Sequence, residues 1–437
     1  MSEYEDIRIT ALAYTGTGVA RLTNGKTVFV EDAVAGDRVR VRIGDDRSNY
    51  ARATITEMLE PSPERIEPAC PHHAVCGGCS LQHLTYREQL RWKRRFVVDA
   101  LTRIAAIDDA ETLVSDIVAS GETWGYRNRI EMEAQRQGNR LALGFHAKGN
   151  ATVVPVEQCL LFPTNLIDLP RRLAGTLNYA LRNTDAPLKR VGVRMSRTSG
   201  DVELALWTEP GPCNRGFVAN VLGDTLKTTS LVRVLTTGPL AKRTVKKVEV
   251  LSGRGYWRED IGAFRYRVSA PSFFQVNTPV ATLMVDRVMA DINPIAGRVL
   301  DLYSGVGTFT LPLAERTNDL CAVEAEGSSI RDLRRNLATY GLDAEVLGGG
   351  VEYAGAELAN AELIVVDPPR SGLSTGVRHL LAKALPPVLI YVSCNPSTLA
   401  RDVKYFTAQG YHLKSAAPFD LFPQTYHVET VAHLFRH

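Results

Sequence analysis

The stretch RVLDLYSGVGTF, residues 298–309, decides the fold class of the C-terminal part of the chain. Its first half is an apolar run typical of a strand covered on both faces, and its second half is a turn built on Gly305 and Gly307. A helix is predicted to begin near Thr310. A strand, a glycine turn and a helix in this order predict one unit of a parallel sheet, whose ligand crevice lies at the carboxyl ends of the strands.

Three further apolar runs repeat the alternation of strand and helix. They are LCAVE at 320–324, ELIVVD at 362–367 and VLIYVS at 388–393. Repeated units of this kind predict a doubly wound, Rossmann-like sheet in an α/β domain at 271–437. Glu324 ends the second strand, where a carboxylate can accept hydrogen bonds from ribose hydroxyls. Since Thr310 stands where a third glycine would be, the turn is not the dinucleotide fingerprint.

The first sixty residues predict a small β domain. Turn signals such as Asn24-Gly25 separate short runs rich in β-branched residues at 7–12, 19–22, 27–30 and 38–43. Four or five such strands predict a small antiparallel barrel, and residues 1–60 resemble the TRAM domain, an OB-like RNA-binding module. A linker is predicted at Pro61-Ser62-Pro63.

Two segments connect these domains. Residues 61–110 hold a cysteine-rich loop and a helix from about Tyr86 to Ile104, one face of which is crowded with arginine and lysine. Residues 111–270 mix strand-like and helix-like patterns and are predicted to form an α+β middle domain.

The cysteine-rich loop predicts a metal or iron–sulfur centre. Seven cysteines, an odd number, argue against a disulfide framework. Three cysteines lie within ten residues, and a saturated site requires a fourth thiolate from elsewhere in the chain. The candidate ligands are Cys70, Cys76, Cys79 and Cys159. Four thiolates suit tetrahedral zinc and a four-iron cluster alike, and His72 and His73 are alternative ligands for zinc.

Three more motifs follow strand ends or lie close to the C-terminus. They are Asp367-Pro368-Pro369-Arg370, Ser393-Cys394-Asn395-Pro396 and His427-Val428-Glu429. Together with residues 301–309 and the Phe273–Asn277 segment, these motifs in this order resemble the RNA 5-methyluridine methyltransferase family, the RumA/TrmA group. The resemblance covers essentially the whole chain, including its TRAM-like start.

The resemblance implies a specific chemistry. Carbon 5 of uracil is too weak a nucleophile to attack a methyl sulfonium directly, so a thiolate first adds to carbon 6. A base then removes the carbon 5 proton. The matching positions imply that Cys394 is the nucleophile and Glu429 the base. Positions that contact S-adenosyl-L-methionine are matched by Gln275, Tyr303, Gly305, Gly307, Glu324 and Asp367. Ser304 departs from the pattern, since many relatives have a cysteine there.

The resemblance also bears on the centre and the substrate. The cysteine spacing and Gln82 match the 4Fe–4S site of rRNA-directed members, which favours iron–sulfur over zinc. The resemblance to rRNA-directed members also favours 23S rRNA as the substrate, with a uridine of the tRNA T-loop as the alternative.

Three other functions compete with this interpretation. A radical S-adenosylmethionine enzyme needs C-x3-C-x2-C, whereas five residues separate Cys70 from Cys76. An amino-group methyltransferase has an aromatic residue where Arg370 stands. A non-catalytic RNA-binding adaptor would not need Cys394 and Glu429.

The overall composition is that of a globular protein. The formal net charge of +3 neither requires nor excludes a polyanionic partner. No apolar run is long enough to span a bilayer, and the N-terminus lacks the pattern of a secretory signal. We therefore expect a cytoplasmic, monomeric protein that binds RNA and no membrane.

Overall fold

The computed structural model describes residues 4–138, 140–182, 187–238, 244–292 and 297–436. These residues form three large sheets, a separate hairpin and the helices that pack against them. Among the helices in these ranges, none combines the length and apolarity needed to cross a membrane.

The N-terminal domain is a six-stranded sheet in the order β1-β5-β6-β4-β3-β2. Its strands are β1 (Tyr4–Arg8), β2 (Ala11–Leu12), β3 (Gly18–Arg21), β4 (Thr27–Val30), β5 (Arg38–Asp46) and β6 (Tyr50–Glu60). The run predicted at 7–12 is divided between two strands, because the Ile9 N–H donates to the Asp37 carbonyl at 2.9 Å. The strand pairing also differs from the predicted antiparallel barrel. Strands β5 and β6 form a long antiparallel hairpin, and β6 then pairs in parallel with β4.

The cysteine-rich loop leads into helix α1 (Tyr86–Arg103), followed by the short α2 (Ala110–Leu113). The hydroxyl of Thr85 caps α1 by accepting from the Glu88 N–H at 3.3 Å. The basic face of α1 is largely compensated within the chain. Its ion pairs are Arg87–Glu64, Arg91–Glu88, Lys93–Asp420, Arg94–Glu111 and Arg95–Asp99.

The middle domain is a mixed sheet in the order β13-β12-β11-β10-β7-β8-β9. Its elements are β7 (Arg129–Gln137), β8 (Arg140–His146), β9 (Val153–Pro155), α3 (Leu169–Ala180), β10 (Leu188–Met195), β11 (Val202–Thr208), α4 (Arg215–Leu226), β12 (Ser230–Thr237) and β13 (Thr244–Gly253). Leucines of α3 pack with Val191 and Val193 of β10 and with Val218 and Leu222 of α4 in one core. A hairpin of β14 (Trp257–Ile261) and β15 (Phe264–Val268) leads to the last domain.

The C-terminal sheet has the order β18-β17-β16-β19-β20-β22-β21 and is parallel except for β22, which is antiparallel to both neighbours. Its elements are α5 (Thr278–Ala290), β16 (Arg298–Leu302), α6 (Thr310–Ala314), β17 (Leu320–Glu324), α7 (Gly327–Tyr340), β18 (Glu345–Gly348), β19 (Ala361–Val366), α8 (Thr375–Ala384), β20 (Val388–Ser393), α9 (Pro396–Thr407), β21 (His412–Phe419) and β22 (Glu429–Phe435). Alternate residues of the central strands enter two separate cores, one on each face. The predicted doubly wound sheet is therefore confirmed. Its strand order reverses between β16 and β19, where such sheets bind their ligands.

Candidate active site

A cavity of about 920 Å³ lies at the carboxyl ends of β16, β17, β19 and β20. All of the predicted catalytic, cofactor-binding and metal-binding residues line this cavity except Gly307. One continuous space thus joins the end of the parallel sheet to the cysteine-rich loop.

The glycine turn after β16 gives its two glycines different tasks. Gly305 has φ +57°, and a Cβ there would meet no atom within 4 Å, so the backbone is open to a ligand. A Cβ at Gly307 would lie 2.6 Å from side-chain carbons of Leu311 and Leu333. Gly307 therefore allows α6 and α7 to pack closely, which explains why it does not line the cavity.

Glu324 fixes the shape of this turn. One of its carboxylate oxygens accepts from the Gly305 N–H at 2.8 Å and the other from the Glu326 N–H at 2.6 Å. Each oxygen keeps a lone pair for a further donor. Glu324 therefore holds the turn and can still accept hydrogen bonds from a ligand.

Two carboxyl groups, one buried (Asp301) and one half-buried (Asp367), lie behind and beside the turn. Burial raises the pKa of Asp367 and of Asp301 to about 7. Asp301 accepts from the Thr310 hydroxyl at 2.5 Å and so ties the strand to the start of α6. Asp367 directly follows β19 and faces the cavity.

The segment that carries Phe273 and Gln275 lies on another wall. Gln275 is buried, and its Oε1 atom has no hydrogen-bond partner among the described residues. Phe273 lines the same cavity with 59% of its surface exposed. An unpaired buried amide oxygen and an exposed ring on the same short segment are typical of a ligand-binding surface.

Two charged groups hold this segment in place through hydrogen bonds. Arg194 of the middle domain donates to the carbonyls of Ser269 and Ser272 at 2.8 and 2.5 Å. Asp332 of α7 accepts from the Ser269 N–H and from the Ser272 hydroxyl, both at 2.7 Å. We name this arrangement the Arg194–Asp332 clamp; no motif in the sequence predicts it.

Cys394 and Glu429 come together because their strands are neighbours. Cys394 follows the last residue of β20, Glu429 begins β22, and Ser393 pairs with Thr430. Burial, and secondarily the Glu429 charge, raises the pKa of Cys394 to about 12. Burial, and then the charge of Asp367, raises the pKa of Glu429 to about 8.

Arg370 and Tyr14 are two further residues of the site to which the sequence analysis gave no role. The Arg370 guanidinium lowers the pKa of both Cys394 and Glu429, against the effect of burial. The Tyr14 hydroxyl donates to the Cys394 carbonyl at 3.1 Å, although 380 residues separate the two. Arg370 was recognisable within its motif, whereas no sequence signal points to Tyr14.

The four candidate cysteines of the centre line the same cavity. Their loop docks on the β8–β9 hairpin, where the Gly77 N–H donates to the His146 carbonyl at 2.9 Å. The Gln82 side chain accepts from the Cys70 N–H at 3.2 Å. The loop is thus held by the middle domain, which also supplies Cys159.

The chain has relatives that match it over nearly its full length. The family described as tRNA (uracil-5-)-methyltransferase matches residues 245–346 and 354–437, and the TRAM domain matches residues 3–56. A protein of Aquifex aeolicus, named an uncharacterized RNA methyltransferase, is 35% identical over 98% of this chain and 97% of its own. One of the same name from Thermosynechococcus vestitus is 32% identical over 98% and 97%.

A solved structure also matches nearly the whole chain. It is the tRNA (uracil-54, C5)-methyltransferase of Pyrococcus abyssi in complex with S-adenosyl-L-homocysteine. The TM-score is 0.76 at 25% identity, with 98% of this chain and 100% of that chain covered. Two full-length relatives above 30% identity and the family match agree with the motifs gathered at the cavity. The chain therefore belongs to the tRNA (uracil-5-)-methyltransferase family, with an N-terminal TRAM domain, and is a class I RNA methyltransferase of the uracil-5 type.

Proposed function

We propose that this protein transfers a methyl group from S-adenosyl-L-methionine to carbon 5 of a uridine in RNA, with Cys394 as nucleophile and Glu429 as base. The observation that carries the proposal is the meeting of Cys394 and Glu429 on the adjacent strands β20 and β22, in the cavity at the carboxyl ends of the parallel strands. In this proposal residues 271–437 perform the reaction, while residues 1–60 and the cysteine-rich loop help to hold the RNA.

The residues of the crevice fit the cofactor. Gly305 offers open backbone, Glu324 has free lone pairs for ribose hydroxyls, and the unpaired Gln275 oxygen offers a further acceptor. Tyr303 and Asp367 line the same space. S-adenosyl-L-methionine, when bound there, supplies the electrophilic methyl group.

The side chains of the chain perform the remaining steps. The Cys394 thiolate bonds to carbon 6 of uracil, and the displaced electron pair forms an enolate on oxygen 4. Carbon 5 then bonds to the methyl group while the bond between that methyl group and the sulfonium sulfur breaks, which leaves S-adenosyl-L-homocysteine. The Glu429 carboxylate takes the proton from carbon 5, and the electrons of that bond re-form the double bond and expel the Cys394 thiolate. Arg370 stabilises the negative charge on the thiolate before attack and after its release.

Access to uracil carbon 6 requires a base that is turned out of its stack. Single-stranded RNA loops offer such bases, and aromatic side chains hold them by stacking. We propose that the exposed ring of Phe273 performs this task. The Arg194–Asp332 clamp would keep the ring in place beside Gln275.

For the cysteine-rich loop we propose a 4Fe–4S cluster bound by Cys70, Cys76, Cys79 and Cys159, with zinc as the alternative. Four thiolates around one zinc ion at about 2.3 Å lie roughly 3.8 Å from one another. Within the described ranges, these cysteines form no group whose sulfurs all lie within 4.8 Å of one another. Sulfurs separated by more than this distance fit the wider ligand spacing of a four-iron cluster better than that of a single zinc ion.

Arg127 supports an anionic centre at the same place. Its guanidinium lowers the pKa of Cys79 and of Cys159, against the effect of burial, and it lines the cavity beside both. No carboxylate forms a salt bridge with Arg127 in the part of the chain that the structure describes. Arg127 donates to the Tyr126 hydroxyl at 3.4 Å, and a cluster with four thiolates, which carries net negative charge, would add an anionic partner.

For the substrate we propose 23S rRNA, because the cysteine-rich loop matches the pattern of rRNA-directed members. The same reaction on tRNA is the second candidate, since the Pyrococcus abyssi relative that matches the whole chain is named as a tRNA enzyme.

The test is to trap the covalent intermediate. Glu429→Gln protein is incubated with S-adenosyl-L-methionine and unmodified total RNA, and the protein is analysed by mass spectrometry. We expect RNA attached through Cys394, because attack and methylation proceed but the carbon 5 proton stays. Sequencing the attached fragment identifies the uridine and separates rRNA from tRNA.

The matched control is Glu429→Gln combined with Cys394→Ala, which should give no adduct. If the single variant gives no adduct and the unaltered protein with an intact centre forms no 5-methyluridine on any RNA, the proposed reaction is wrong. Amino-group methylation or a non-catalytic adaptor would then be the better interpretation.

A further inference from the structure

A compact group of metal-binding side chains lies at the edge of the active-site cavity, which one of them, His73, helps to line. One ligand atom each from Asp32, His73 and His83 falls within 4.8 Å of the other two. Asp32 lies between β4 and β5 of the N-terminal sheet, and both histidines belong to the cysteine-rich segment. None of the three is used by the proposed reaction or by the proposed cluster.

The two histidines are buried without adequate partners. His73 is 8% exposed and His83 is 2% exposed. None of their four ring nitrogens has a well-formed hydrogen bond among the described residues, although the Ala33 backbone carbonyl lies beside His83. Buried polar atoms in this state are uncommon, and a bound ion or water is their usual explanation. A metal-bound histidine often faces a backbone carbonyl with its other nitrogen, as His83 does here.

Asp32 already faces a cation. Its two oxygens accept from the Lys148 ammonium at 2.8 and 3.0 Å, and one of them lies 3.7 Å from His73 Nε2. Its backbone has φ +53°, a conformation that is strained for a residue other than glycine. Lys148 would therefore compete with any ion bound here.

We propose that Asp32, His73 and His83 bind one divalent transition-metal ion. Two imidazoles and one carboxylate are a ligand set that zinc accepts, and they leave a fourth position for water. Imidazole ligands argue against magnesium and calcium, which prefer oxygen. An ion here would tie the N-terminal sheet to the cysteine-rich loop, and so to the wall of the active-site cavity.

His72 provides a matched control. It is next to His73 in sequence, but its Nε2 accepts from the Glu157 N–H at 3.3 Å, and it is not a member of the group. His72→Gln should therefore leave metal binding unchanged. The proposal thus separates two adjacent histidines that the sequence alone treats alike.

The experiment is a zinc titration of the whole protein with its cysteine centre loaded and intact, against a chromophoric chelator. We expect one equivalent of zinc in the unaltered protein and in His72→Gln, and its loss in His73→Ala and His83→Ala. Lys148→Met should bind zinc about tenfold more tightly, because it removes a competing positive charge within a few ångströms of the ion. The absorption of the cysteine centre reports whether each variant is folded.

Cobalt substitution tests the unaltered protein without any variant. Tetrahedral cobalt bands without a sulfur-to-metal charge-transfer band support the proposed ligands. A charge-transfer band would assign the ion to cysteines and overturn the proposal. Zinc binding that survives in His83→Ala would also overturn it, as would the absence of binding in both the unaltered protein and Lys148→Met.

Discussion

At the scale of single residues, the surroundings of Cys394 favour its neutral thiol form over the thiolate. Burial raises the pKa of Cys394 to about 12, although the proposed reaction needs the thiolate. Among the groups that act on this thiol, the Arg370 guanidinium works in the opposite direction. Burial and the charges of Glu429 and Asp367 act against the thiolate, whereas Arg370 and a backbone hydrogen bond favour it, and their balance sets how much thiolate is present when RNA binds.

Arg370→Gln should therefore slow formation of the covalent adduct by about tenfold, which corresponds to roughly one unit of pKa. The pKa of Cys394 rises further in the variant, so less thiolate is present at any pH below it. Raising the pH by one unit should restore most of the rate. Rapid-quench measurement of adduct formation in the Glu429→Gln background checks this expectation. Arg334→Gln, an exposed residue of α7, is the control; an unchanged rate in Arg370→Gln would contradict the argument.

Tyr14 connects the TRAM domain to the nucleophile. Its hydroxyl donates to the Cys394 carbonyl, and its ring packs edge-on against Phe96 and Tyr426. Tyr14→Phe keeps the ring and removes one hydrogen bond, which is worth roughly 0.5–1.5 kcal/mol.

We expect Tyr14→Phe to slow adduct formation by up to about tenfold, with RNA affinity unchanged, because the backbone that carries the thiol is held less firmly. Single-turnover kinetics and filter binding separate the two effects. Tyr50→Phe, in the same domain but packed against Phe29, should change neither. A loss of RNA affinity with an unchanged rate would instead make Tyr14 an RNA contact.

At the scale of elements, the Arg194–Asp332 clamp fixes a segment that has no regular structure of its own. Asp332 accepts three hydrogen bonds, two from Ser269 and one from Ser272. Hydrogen bonds to a charged acceptor contribute roughly 1.5–3 kcal/mol each. Of the two residues of the clamp, Asp332 is therefore the better one to replace in a test of its role.

Asp332→Asn should weaken binding of S-adenosyl-L-homocysteine by about tenfold or more, since Gln275 lies on the segment that is loosened. Calorimetry measures this directly. Asp319→Asn removes an exposed carboxylate that pairs with Arg298 and should leave the affinity unchanged. Equal affinities in both variants would show that the clamp does not organise the cofactor site.

The sequence predicted those features that adjacent residues determine. The strand, turn and helix at 298–314 could be recognised because apolar periodicity and glycine spacing are local properties. The meeting of Cys394 with Glu429 could be inferred only through family resemblance. Tyr14 and Arg194 were missed because their partners lie far away in sequence. The N-terminal domain was predicted to have four or five strands and has six, because the Ile9 N–H donates to the Asp37 carbonyl and so divides one predicted strand into two.

At the scale of the whole molecule, α1 anchors the cysteine-rich segment to the C-terminal sheet. Lys93 and Asp420 are fully buried, and the ammonium contacts the carboxylate at 2.5 Å and the Phe422 carbonyl at 2.9 Å. Tyr86 donates to the other carboxylate oxygen at 2.9 Å. The side chains of Gln89 and Gln424 extend the contact, joined by a hydrogen bond of 3.0 Å.

Lys93→Met should reduce the opening free energy of α1 and β21 by about 3–5 kcal/mol, because it leaves the Asp420 charge buried without a partner. Lys93→Met with Asp420→Asn should recover much of the loss, since no unpaired charge remains and the amide can still accept from Tyr86. Hydrogen exchange of these two elements measures both values. Arg103→Met, which removes only an exposed pair with Asp99, should change little. If the single variant matches this control, the pair contributes nothing to holding the domains together, and the apolar contacts of α1 with α9 must carry the interface alone.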